Sequence, residues 1–239
     1  MNPSSKRIGF VSTRLAGTDG VSLEAAKWAE VLESCGHRCF WFAGELDQDP
    51  AVCFLMPEAH FQWPANKAIS AAVFGHKARP PEVTEAIHDL RVRLRQGLRT
   101  FIERFRLDML IVENALTIPM HIPLGLALSE VIAATLIPTI AHHHDFYWER
   151  QPFLTNAAWE ILSMAFPPHL PSIQHVVINS VAGHQLGLRT GIAATLIPNV
   201  MDFDQPPPPP DAYAADVRQS LGLTEGELLV LQPTRVVKR

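Results

Sequence analysis

Four short polar clusters stand where apolar runs of the sequence end: Thr18-Asp19-Gly20, Glu113-Asn114, His142-His143-His144-Asp145 and Asn179-Ser180. Imidazole beside carboxylate is a pairing that oriented hydrogen bonding and general acid-base chemistry use, because histidine changes charge near neutral pH and a neighbouring group fixes its ring. A glycine opening a helix offers free backbone N–H groups and the positive end of the helix dipole to an anion such as phosphate. Gly20 has that position, and either a phosphate cradle or a plain tight turn accounts for it. The spacing is not GxGxxG, and the acidic residue expected about twenty positions on for a dinucleotide is missing.

Three consecutive histidines suggest a metal. Neighbours on a strand point to opposite faces, and no cysteine or carboxylate lies at ligand spacing, so the expectation is no metal. A single histidine at the strand end remains, either structural or serving as hydrogen-bond donor or general base, with Asp145, Glu149 and Arg150 as polar neighbours. No GxSxG elbow, Walker loop, HExxH or EF-hand loop occurs, which disfavours a serine hydrolase, a P-loop ATPase and a zincin.

These clusters need elements to position them. "RIGFVST" at 7–13 reads as a strand buried on both faces, and Val21, Ala25, Trp28, Ala29 and Leu32 form one helical stripe after it. Asp19 or Ser22 is placed to cap that helix, and Gly36 to end it in the left-handed region. "HRCFWFAG" resumes as a strand, giving a βαβ unit and hence an α/β domain with a parallel sheet. A strand is expected at "AVCFLM" and a short helix at "ANKAISAAVFG". From Glu82, the residues Val83, Ile87, Leu90, Leu94, Leu98, Phe101 and Phe105 step by three or four, with Arg91, Arg93, Arg95 and Arg99 on what reads as a solvated face. "LDMLIVEN" and "IQHVVINS" read as further strands, "VAGHQLGLRTG" as a helix and "ATLIPNV" as a short strand. Ala-Ala-Thr-Leu-Ile-Pro occurs at 133–138 and 193–198, but the flanks differ, so it marks two uses of one helix-to-strand junction and no solenoid.

Five consecutive prolines in "DFDQPPPPPDAY" favour a stiff spacer and put a domain boundary near 204. The expectation is a Rossmann-like domain over 1–204, with a linker, a short helix and the strand "ELLVLQPTR" of an incomplete second domain over 205–239. Apolar residues make up 47% of the chain and charged ones 18%, enough for a sizeable core, and a net charge of -4 supplies no basic field for nucleic acid. Residues 122–141 match the length of a membrane span, but Glu130, Pro123 and Pro138 favour a buried helix followed by a buried strand. Cys35, Cys39 and Cys53 make no even disulfide set, and no signal core precedes the first strand, so the expected compartment is the cytoplasm.

Taken in order, "IGFVST", "TDGVS", "DMLIVEN", "IPTIAHHHDF", "HVVINS", "TLIPNVMDF" and "RQSLGLTEGELLVLQPTRVVKR" resemble the retaining glycosyltransferases of family four, across nearly the whole chain. That resemblance implies the N-terminal half of a GT-B fold, a doubly wound, mainly parallel sheet that holds the acceptor. It implies a nucleotide-sugar co-substrate, no metal or other cofactor, and a sugar or lipid acceptor with peripheral membrane contact. By position, His144 corresponds to the active-site histidine, Gly20 to the first-loop glycine near the phosphates, and Arg235 to the arginine on the diphosphate. Asp19, Glu113, Asn114 and Asp145 are then candidates for acceptor contacts. Asp19 and Thr234 stand where the family has glycines. The donor lysine and the paired glutamates of the family would fall beyond Arg239, which implies a partner domain in cis or in trans and little activity of the 239 residues alone. A binding module paired with a separate domain, or a sugar-nucleotide epimerase, is the alternative.

Overall fold

In the computed structural model, residues 5–201, 206, 209 and 211–230 are described. Contacts divide the chain into two compact units, Met1–Asn199 and Val200–Arg239. The first unit runs β1 (Arg7–Val11), α1 (Gly20–Ser34), β2 (Arg38–Ala43), β3 (Cys53–Leu55), α2 (Pro64–Val73), α3 (Pro81–Phe105), β4 (Met109–Glu113), α4 (Ile122–Thr135), β5 (Thr139–His143), α5 (Gln151–Leu154), α6 (Trp159–Ala165), β6 (Ile173–Val177), α7 (Ser180–Thr190) and β7 (Ala194–Leu196). The seven strands form one sheet in the order β3-β2-β1-β4-β5-β6-β7, with every pair parallel. This is the α/β, Rossmann-like arrangement expected from the alternation of apolar runs and helical stripes.

Both faces of the sheet are covered, and the two-residue period of each strand divides its side chains between them. Cys39, Trp41, Phe10 and Ile111 pack toward α1 with Ala25 and Ala29. Phe40, Phe42, Leu110, Val112 and Ala141 pack on the other side against the apolar stripe of α3 and the nearly all-apolar α4. That double burial is why the strands read as unbroken apolar runs. The 122–141 stretch resolves into α4 and β5, and no helix among the described residues is long and apolar enough to cross a membrane.

The arginine face of α3 differs from expectation. Arg91 and Arg95 both pair with Glu130 of α4, the Arg95 contact at 3.3 Å, so half of that face is a tie between helices and only Arg93 and Arg99 are exposed. Glu130 lies far away in sequence, so the helical pattern could not show it.

In the second unit α8 (Val217–Ser220) is a single turn, followed by a loop in which Arg218 donates to the carbonyls of Thr224 and Glu227, both at 2.9 Å. Glu227–Val230 form no strand; the rest of the expected strand, Arg235 included, lies outside the described residues.

Gly125 tests the packing of α4. Alanine normally favours a helix interior over glycine by about 1 kcal/mol, but a Cβ here would overlap the buried ring of Phe166. Overpacking at such a contact costs about 1–3 kcal/mol. Gly125→Ala is therefore expected to lower the midpoint of denaturant unfolding, against the helix-propensity trend.

Candidate functional site

The strand order turns back between β1 and β4, and the carboxyl end of the sheet at such a switch point is where open α/β folds bind ligands. Across it Ser12, at 4% exposure, donates its hydroxyl to the Glu113 carbonyl at 3.0 Å. Glu113 ends β4, and its partner in register on β5 is His142.

The pleat then decides which side chains meet. Glu113, His142 and His144 all project to the α1 face, while His143 projects to the other. His142 Nδ1 lies 3.0 Å and His144 Nε2 3.1 Å from the same Glu113 oxygen, Oε2. Glu113 and His142 are fully buried and His144 is 11% exposed. Trp28 of α1 stacks on His142 with ring centroids 4.5 Å apart, and the two imidazoles lie 4.5 Å apart in turn. Burial pushes the Glu113 carboxyl up, but the hydrogen bonds and charge of His142 and His144 outweigh it and hold the group below the usual carboxylate range. The sequence argument against a metal held for adjacent histidines only. The i, i+2 pair on one face, with a carboxylate brought by the neighbouring strand, is a set of three groups whose donor atoms lie within 4.8 Å of one another.

Asn114 joins the loops. It sits at φ 57°, in the left-handed region that asparagine tolerates better than most residues. Its Oδ1 accepts the His144 backbone N–H at 2.9 Å, and its Nδ2 donates to Asp145 Oδ1 at 3.3 Å. Asp145 also pairs with Arg150. Glu113, Asn114, His144 and Asp145 are thus one connected cluster.

Asp19 and Gly20 stand apart from it in hydrogen bonding. Asp19 is the cap of α1: its Oδ1 accepts from the N–H groups of Val21 and Ser22 at 3.1 and 3.2 Å, and its Oδ2 accepts the Ser22 hydroxyl at 2.8 Å. Two of the first-turn donors therefore already hold a carboxylate. A Cβ at Gly20 would meet nothing within 4 Å.

His142, Trp28 and Thr117 are site residues that sequence reasoning missed. Thr117 bonds His143 Nδ1, and His143 Nε2 lies 2.9 Å from His175 Nδ1. Burial and the neighbouring histidines keep His143 well below its usual range, and burial with His169 lowers His175 to about 4. The signal available for His142 was its two-residue spacing from His144.

No family model matches this chain. It is 32% identical over 236 residues to a mannosylglucosylglycerate synthase of Thermotoga maritima, and 32% identical over 242 residues to one of Petrotoga mobilis. The alignments cover 98% and 97% of this chain and 54% of each relative, so the chain spans about half the length of these curated relatives.

His121, in the loop leaving β4, gives a measurable pH signature. Its Nδ1 accepts the Leu124 N–H at 3.2 Å and caps α4, while Nε2 lies 2.8 Å from the Glu58 carbonyl. Burial is the main cause that lowers it from 6.5 to about 4. Below pH 6.5 the unfolded chain takes up a proton that the folded chain refuses. The contribution is therefore complete above pH 6.5 and is lost as pH falls toward 4, at most about 3 kcal/mol. In urea unfolding measured at pH 7 and pH 4.5, His121→Asn is expected to keep a capping side chain yet show a shallower acid loss than the parent.

Proposed function

We propose that this chain forms the acceptor-binding part of a glycosyltransferase that moves a sugar from a nucleotide-sugar donor to a hydroxyl acceptor. The observation that carries the reading is the similarity to two mannosylglucosylglycerate synthases along nearly all of this chain. The polar cluster at the carboxyl end of the sheet supports it. The names of the relatives suggest the finer assignment: a mannosyl donor and a glucosylglycerate acceptor.

In this reading His144 meets the reacting sugar at the carboxyl end of the sheet, where it is less buried than Glu113 and His142. Asn114 and Asp145 offer hydrogen-bonding groups to acceptor hydroxyls. The diphosphate is held chiefly by a further domain, in cis or in trans, to which Arg235 would contribute. A GT-B arrangement and retention of configuration at the sugar complete the proposal. Its physical logic is that transfer needs a cationic clamp on the leaving diphosphate and exclusion of water as two domains close.

Calorimetric titration separates the parts of this reading. The 239-residue chain should bind glucosylglycerate, and Asp145→Ala should weaken that binding by about tenfold, or about 1.4 kcal/mol. Nucleotide-linked mannose should bind the same chain poorly and give little product. No acceptor binding by the folded chain would refute the assignment of acceptor; brisk transfer by the chain alone would refute the division of labour.

A further inference from the structure

We propose that Glu113, His142 and His144 form a binding site for one divalent transition-metal ion of the zinc class, open at the carboxyl end of the sheet. The inference departs from the metal-free chemistry that the family resemblance implies, and it does not depend on the transferase reading.

Three observations carry it. The first is the donor set: two imidazole nitrogens and a carboxylate oxygen, all within 4.8 Å of one another, with Glu113 and His142 in register on adjacent strands and His144 one residue past β5, its backbone N–H held by Asn114. The edges from Glu113 Oε2 are 3.0 and 3.1 Å. Ligand atoms about 2.0–2.2 Å from a tetrahedral zinc are separated by roughly 3.4 Å. Two of the three edges lie within about 0.4 Å of that value, and the edge between the imidazole nitrogens, no longer than 4.8 Å, would have to close as the rings turn toward the ion.

The second is charge. Glu113 has no exposed side-chain surface, and its ion-pair partners among the described residues are the two histidines, with no lysine or arginine. A buried carboxylate requires a counter-ion. A divalent ion between the three groups would supply that charge, with both imidazoles as its ligands.

The third is geometry of access. His142 is clamped between Trp28 and His144, and His144 retains 11% exposure. Three protein ligands with a fourth position facing solvent are the pattern of zinc sites that bind a further molecule, whereas structural sites fill all four. Nitrogen-rich borderline donors favour zinc, cobalt(II) or iron(II) over magnesium or calcium.

The test uses the chain stripped with chelator and titrated with Zn2+ by calorimetry, in parallel with Co2+ followed by its visible d–d absorption. One ion per chain is expected, with Zn2+ displacing the cobalt bands and raising the unfolding temperature. His144→Ala, at the least buried ligand position, should fold and lose both the bands and the thermal shift; Glu113→Gln should do the same. No stoichiometric uptake by a folded chain would overturn the proposal and leave Glu113 held by the two histidines alone. Uptake unchanged in both variants would also overturn it, placing the ion on other histidines.

Discussion

A carboxylate without exposed surface ends the central strand β4, and the geometry around it follows from satisfying that group. The penalty for burying an ionised carboxyl is several kcal/mol even after relaxation, and removing one partner of a buried pair commonly costs about 3–5 kcal/mol. Glu113 meets this with His142, set against it by the register of β4 and β5, and with His144 one residue past the end of β5, where Asn114 holds its backbone N–H. Trp28 covers His142, so α1 is coupled to the same group. The Glu113 carbonyl, meanwhile, ties β1 to β4 through Ser12. The sheet's turning point and its most polar buried cluster are therefore held by one residue.

The neighbouring residue shows how sharply the pleat partitions chemistry. His143 lies one position from both His142 and His144, yet it faces Thr117 and His175 with no carboxylate in reach of its ring bonds. Burial leaves His143 neutral, whereas Glu113 stays ionised on the other face. Three identical side chains in a row thus experience two opposite electrostatic environments, separated by the thickness of a strand.

Much of the fold was legible because double burial leaves a strong signature: β1, β2, β4, β5, β6 and the stripes of α1 and α3 all follow from apolar periodicity. The segment from Gln151 to Ala165 was not, since α5 and α6 are one or two turns long and a short apolar helix carries too few periods to recognise. At the site, Glu113, Asn114, His144 and Asp145 were visible as polar residues after strands, and the structure brings them into one cluster. What the sequence could not supply was pairing between strands: the convergence of Glu113 on His142 and His144 depends on register, as the Glu130 tie to α3 depends on helix packing.

The first loop adds a constraint on where a phosphate could be held. In a dinucleotide-binding Rossmann domain the first helix presents unpaired N–H groups to the pyrophosphate. Here Asp19 bonds to two of those groups and to the Ser22 hydroxyl, with Arg14 3.8 Å away. A phosphate would have to expel this carboxylate against three hydrogen bonds and repulsion between like charges. Two first-turn N–H groups of α1 are thereby engaged within the loop itself. The polar groups left to a ligand are those after β4 and β5, where Asn114, His144 and Asp145 offer side-chain hydrogen bonds in place of a helix N-terminus.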